Sequence, residues 1–74
     1  MTGEELFAFV ESKGIKRSKV SEALGYTRQR TYSLLHSPNI TTDSLEEVAR
    51  VVGVSPSKIY RFVEKMRKDL EVSK

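Results

Sequence analysis

The spacing of its apolar residues restricts this chain to an all-helical fold. Apolar residues recur every three or four positions, as they do along one face of a helix, and no segment shows the alternation of a half-buried strand. The two clearest runs are Leu45, Val48, Ala49, Val52 and Ile59, Val63, Met66, Leu70. The sequence therefore predicts a compact all-α fold, and its 74 residues allow a single domain spanning positions 1–74.

Capping residues and glycines divide this pattern into five predicted helices. Thr2 followed by Glu5 forms a capping box at the first start, and Gly25 supplies the left-handed residue that commonly ends a helix. Pro56 directly after Ser55 is typical of a helix start. The predicted boundaries are Thr2 to Gly14, about Lys16 (or Ser18) to Leu24, Thr27 to about His36, Thr41 (or Asp43) to Gly53, and Ser55 onward.

The inner faces of these helices should form a small core. A chain this short buries only about 60% of the surface of its unfolded state, so close helix packing or dimer formation must stabilise it. The residues predicted to face inward are Leu6, Phe9, Val10, Val20, Ala23, Leu24, Leu34, Leu35, Leu45, Val48, Ala49, Val52, Ile59, Phe62 and Val63.

The composition argues against several classes of protein. The chain has no Cys, which excludes a disulfide framework and fits a reducing compartment, and its one His, His36, has no Cys or acid at ligand spacing. No apolar run reaches the about 18 residues of a membrane span, and the acidic N-terminus is unlike a signal peptide. We therefore expect a cytoplasmic protein with no metal, no cofactor and no membrane contact.

The same residues give no indication of an enzyme. There is no nucleophilic Cys, no pair of carboxylates sharing a face with a base, and no glycine-rich phosphate loop. We expect neither catalysis nor a small-molecule substrate.

Charges at the helix starts are distributed unusually. A helix N-terminus is partly positive, so acids stabilise its first turn, and each cation there costs about 0.3–1 kcal/mol. The first helix begins with Glu4 and Glu5, and the fourth carries Asp43 and Glu46. The second and third helices begin instead with cations, namely Lys16, Arg17, Lys19, Arg28 and Arg30. An anion bound across both starts, such as a DNA backbone, would remove this cost.

The positive charge is concentrated on the second and third helices. Residues 13–36 hold six Lys or Arg and one acid, a local charge of +5, while residues 1–12 carry −3 and residues 37–54 carry −2. Two segments, LGYT at 24–27 and VGVS at 52–55, read as turns between helices, and the charge favours the first as the nucleic-acid-binding unit. A solvated basic surface without a partner is the alternative.

The stretch GIKRSKVSEALGYTRQRT, residues 14–31, resembles the helix-turn-helix of phage repressors and Cro proteins. The resemblance extends over roughly residues 6–62 and implies a five-helix, lambda-repressor-like domain with the helix-turn-helix in helices 2 and 3. Such domains bind operator DNA, usually as symmetric dimers, with helix 3 in the major groove. The chain departs from the common family pattern at four positions. Lys16 stands where a Ser or Thr cap is common, and Arg17 stands where Gln is common. Ser21 replaces Ala, and Thr31 replaces an aliphatic residue, which should weaken the core under helix 3.

The resemblance also implies roles for individual residues. It assigns base reading to Arg28, Gln29 and Ser33, although Ser33 fits equally a residue that only makes room. Arginine pairs well with guanine and glutamine with adenine. Arg30 could read a base or hold a phosphate, and Tyr32 could bind a phosphate or pack against helix 2. The remaining phosphate candidates are Lys16, Arg17, Lys19, Thr27 and Asn39.

The apolar stripe of helix 5 continues beyond what a small core needs. Met66 and Leu70 lie at a spacing that favours a partner helix, which predicts a homodimer contact within residues 66–74. The alternative is a frayed, solvated end of helix 5.

Two functions fit these patterns. The first is a transcriptional regulator that binds double-stranded operator DNA, of the repressor type found in phages or mobile elements. The second is a protein-interaction module on a helix-turn-helix scaffold, such as an antitoxin. Its distinguishing feature would be a partner-binding tail, and none is expected beyond helix 5.

Overall fold

Five helices make up the part of the chain that the computed structural model describes, residues 1–72, and no strand occurs there. They are α1 (Gly3–Ser12), α2 (Arg17–Leu24), α3 (Arg28–Leu35), α4 (Thr42–Val52) and α5 (Pro56–Val72). The all-α prediction is confirmed. Helix α2 begins at Arg17, between its two predicted starts, and α3 ends one residue early because His36 is its C-cap.

Local capping explains most of these boundaries. Thr2 and Glu5 form the predicted capping box, with the Glu5 amide donating to Thr2 Oγ1 at 3.1 Å and the Thr2 amide to Glu5 Oε1 at 2.9 Å. Thr27 caps α3, and Thr41 rather than Asp43 caps α4. Lys16 precedes α2 without a side-chain cap bond.

The core is built from α1, α2, α4 and α5. Helix α5 packs on α1 and α4, and α2 packs on α4. One prediction about the core was wrong, and one buried residue was missed. Phe7 is buried although it was not assigned to the inner face, because α1 is packed against three other helices. Ala23 is exposed, because the contact line of α2 passes through Val20 and Leu24. The buried hydrophobic residues are Leu6, Phe7, Phe9, Val10, Val20, Leu45, Val48, Ala49, Ile59 and Val63.

Helix α3 contains no fully buried residue and is held at its end by the start of α1. A Cβ atom built on Gly3 would overlap the carbonyl oxygen of Leu34 and lie 2.7 Å from that of Leu35. The Gly3 amide donates to the Ser37 carbonyl at 3.0 Å, just beyond α3. The absence of a side chain at Gly3 therefore allows the two backbones to approach, and this approach sets where α3 ends.

A second long-range contact joins α1 to the far half of α5. The Arg67 guanidinium donates from Nε to Glu5 Oε2 at 2.6 Å and from a second nitrogen to Glu5 Oε1 at 2.7 Å. The bond from Arg67 is the main reason that the pKa of Glu5 falls from its usual 4.5 to about 2, with the Thr2 bonds adding to it and burial opposing it. The capping carboxylate thus also anchors α5.

No helix within residues 1–72 has the combination of length and apolar character needed to cross a bilayer.

Substituting Gly3 by Ala should destabilise the protein, although Gly→Ala at an open helical position usually stabilises by about 0.5–1 kcal/mol. The added methyl group must push α1 away from the α3 backbone, and we expect a loss of about 1–3 kcal/mol. Urea unfolding measures this. Thr42→Ala at the matching first position of α4 is exposed and should change stability by less than about 0.5 kcal/mol. A G3A protein as stable as the parent would contradict the proposed close approach.

The ion pair between Glu5 and Arg67 should make stability depend on pH in the acid range. Because folding lowers the Glu5 pKa from 4.5 to about 2, its contribution is complete above about pH 5 and is lost as the pH falls towards 2. Arg67→Met should therefore lower the urea midpoint near neutral pH and converge with the parent at low pH. Arg61→Met, an exposed change on the same helix, is the control. A difference that stays constant with pH would show that the Arg67 stem acts through packing instead.

Candidate nucleic-acid interface

The starts of α2 and α3 border one surface groove. Arg17 from the first turn of α2 and Arg28 from the first turn of α3 both line it, together with Ser18 and Tyr32. Neither helix has an acid in its first turn. Two partly positive helix ends and two guanidinium groups therefore share one surface, which the Glu22 carboxylate also borders. Such an arrangement can bind an anion as extended as a nucleic-acid backbone.

The outer side of α3 carries the predicted base-reading residues. Thr31, Leu34 and Leu35 are partly buried and define the inner side. Since successive residues are rotated by about 100° around a helix, Gln29 and Ser33 point directly away from that side. Both are exposed, as are Arg28 and Arg30, which lie on the two flanks of this outward line.

Two of the departures from the common family pattern form a pair in the structure. The hydroxyl oxygens of Ser21 and Thr31 lie 2.7 Å apart and are hydrogen-bonded, which joins α2 to α3. Thr31 Oγ1 also lies 3.0 Å from the Thr27 carbonyl oxygen. The hydroxyl group expected to weaken the core under α3 is therefore partnered, and it fastens α3 to α2.

Tyr26, in the turn between α2 and α3, makes contacts that the sequence did not predict. Its hydroxyl group donates to a carboxylate oxygen of Glu47 on α4, and the Arg30 guanidinium carbon lies 4.1 Å from the centre of its ring. Burial is the largest cause of a raised Tyr26 pKa, and the Glu47 bond adds to it. The spacing of four residues between Tyr26 and Arg30 was the one available signal for their contact.

The basic residues of α2 make only weak local ion pairs. Arg17 Nε lies 3.4 Å from a carboxylate oxygen of Glu11, and Lys19 Nζ lies 4.0 Å from one of Glu22. All four side chains are about half exposed or more, so each pair contributes at most about 1 kcal/mol and can exchange for a stronger anion. Lys16, just before them, is also exposed.

The other predicted phosphate contacts lie on or next to α3. The Thr27 hydroxyl oxygen accepts the Arg30 amide as the helix cap, and Asn39 is exposed in the loop after α3. Tyr32 is 65% exposed, and its ring lies 4.3 Å, between centroids, from that of His36. Tyr32 thus contributes to the exposed wall of the groove rather than to the core. No group of three or more potential metal ligands occurs among residues 1–72.

The arrangement of helices and charges agrees with a comparison to known protein families. A model of the Cro/C1-type HTH DNA-binding domain matches residues 5–65. The chain belongs to this family. Searches of curated proteins and of solved structures gave no match. Family membership confirms the predicted resemblance and the helix-turn-helix fold, and it supports DNA as the partner.

The family model covers the predicted DNA contacts but not the predicted dimer contact. It includes residues 16–39 and therefore all the predicted DNA contacts. It ends at residue 65, before Met66 and Leu70, the residues predicted to form a dimer contact.

Proposed function

We propose that this Cro/C1-type domain is a sequence-specific transcriptional regulator, a repressor of phage or mobile-element type, that inserts α3 into the major groove of operator DNA. The observation that carries the proposal is the shared groove at the cationic starts of α2 and α3, bordered by Arg17 and Arg28. A regulator of this kind acts in the cytoplasm, where its operator is.

The orientation of α3 distributes the roles. Gln29 and Ser33 face outward, where the base edges would lie, and Arg28 is in the first turn, from which recognition helices commonly reach bases. Arg17 would neutralise a phosphate at the start of α2. The further phosphate contacts that we propose are Lys16, Lys19, Thr27, Tyr32 and Asn39.

Selection of bound duplexes from a random library, followed by fluorescence titration of the selected site, tests this function. With six to ten phosphate contacts, affinity should fall roughly a thousand- to hundred-thousandfold between 50 and 200 mM salt.

Gln29→Ala should relax preference at one base pair, worth about 1–3 kcal/mol, because it removes a bidentate contact. Arg17→Ala should weaken binding to all sequences alike and reduce the salt slope by about 1.

Arg61→Ala on α5 serves as the control for the loss of one positive charge, and it should leave base preference unchanged. Failure of the parent protein to bind any duplex at low salt, or binding that does not respond to salt, would refute the function.

The exposed continuation of α5 supports a symmetric dimer. Leu70 is 63% exposed and lines a groove with Phe62, Lys65 and Met66, on a helix that continues to Val72. Residues 73 and 74 of the predicted contact segment lie outside the described residues. We propose that two copies pair through this stripe, which would place two α3 helices on half-sites about 34 Å apart.

Sedimentation equilibrium of the full chain tests the dimer. Leu70→Lys should shift the protein towards monomer and weaken binding to a palindromic site, because the lysine charge would be buried between the two helices. Val51→Lys adds the same charge at another exposed apolar position and should leave association unchanged. A parent protein that is monomeric at every concentration and on a palindrome would contradict the proposal. A stoichiometric complex of this chain with a different protein, bound through the stripe that includes Leu70, would favour the antitoxin-like alternative.

A further inference from the structure

Arg30 is held against the side of the recognition helix by an aromatic ring. Its guanidinium carbon lies 4.1 Å from the ring centre of Tyr26, four residues earlier. Helical side chains lean towards the N-terminus, so Arg30 extends back over the turn instead of out from α3. A guanidinium carries five N–H donors, and contact with one ring does not use all of them. The stacked cation can therefore still bind two oxygens of an anion.

The ring itself is fixed by two other helices. The Tyr26 hydroxyl group donates to Glu47 on α4, and the Tyr26 amide donates to the Ser21 carbonyl on α2 at 2.9 Å. Swinging the side chain about its Cα–Cβ bond would break the first of these bonds. The position of the Arg30 charge is therefore set by the packing of α2, α3 and α4 together.

This position is on the flank of α3. Since each residue turns the helix by about 100°, Arg30 lies about 90° from the outward direction shared by Gln29 and Ser33. A helix nearly fills a major groove about 12 Å wide, so its outward side faces the bases, and a side chain on a flank reaches a base edge or a phosphate according to the direction in which it extends. A cation stacked back towards the turn is placed beside a backbone.

We propose that Tyr26, held by Glu47, positions Arg30 to bind one DNA phosphate, so that Arg30 adds affinity without reading a base. This inference rests on the proposed function and refines it at one residue. Tyr26 acts through Arg30 and makes no base contact of its own. Tyr26 thereby determines that Arg30 contacts a phosphate and not a base.

Neutral methylphosphonate substitution, introduced at one phosphate at a time in the selected duplex, tests the assignment. The parent protein should lose affinity at a specific phosphate, about ten- to hundredfold for a charge-assisted bond. Arg30→Ala should bind the unmodified duplex correspondingly less tightly, show no further loss at that phosphate, and keep the base preference of the parent. Arg30→Ala that relaxes preference at one base pair while remaining sensitive to every phosphate would overturn the assignment.

Variants of Tyr26 test the positioning role. Tyr26→Leu removes the stacking ring and should weaken binding about two- to fivefold, the value of an exposed cation–π contact. In the Arg30→Ala background the same change should have no further effect, because the two residues act through one contact. Tyr26→Phe keeps the ring, removes only the bond to Glu47, and should lose less than Tyr26→Leu. Equal losses for Phe and Leu, or additive losses with Arg30→Ala, would overturn it.

Circular dichroism of each variant at the assay temperature confirms that binding is compared between folded proteins. Failure of the proposed function is recognised separately, since the parent protein would then select no duplex. If the parent binds a defined site and Arg30→Ala changes the base sequence that the protein prefers, the proposed regulatory function is supported and the phosphate assignment is refuted.

Discussion

The position of α3 depends on a steric contact between backbones, the approach of Gly3 to the carbonyl oxygens of Leu34 and Leu35. Helix α3 has no fully buried side chain, so the hydrophobic core alone does not hold it. The contact at Gly3 fixes the C-terminal end of α3. The hydrogen bond from the Gly3 amide to the Ser37 carbonyl fixes the direction in which the chain continues. Because α1 is itself anchored in the core, α3 inherits a defined position while keeping its outer surface free.

Polar contacts fix the other end of α3. The hydroxyl pair of Ser21 and Thr31 ties it to α2, and Tyr26 ties the preceding turn to Glu47 on α4. Hydrogen bonds are directional, so these ties limit rotation of α3 about its axis better than an apolar contact of similar area would. Such rotation matters because successive residues are about 100° apart around the helix. A rotation by that angle would bring a neighbour of Gln29 to the outward position.

The features that could be predicted from the sequence are those set by nearby residues. Helix boundaries follow from caps such as Thr2 and Thr27, and a charge pattern on two helices indicated the surface that the structure brings together. The contacts that were not predicted join residues far apart in the chain. Glu5 and Arg67 are separated by 62 positions, and Tyr26 and Glu47 by 21. No spacing rule connects such residues, because only the packing of whole helices brings them together.

The structure separates the residues that hold α3 from those that would read DNA. Thr31, Leu34 and Leu35 occupy its inner side, while Gln29 and Ser33 are exposed on the opposite side. Cations at the starts of α2 and α3 reduce the stability of the free protein, because they oppose the helix dipoles, and exposed pairs such as Arg17 with Glu11 offset this only weakly. A bound polyanion would reverse the sign of that effect. The same charges that make the free domain less stable would then stabilise its complex, and residues on the outward line could change base preference without altering the fold.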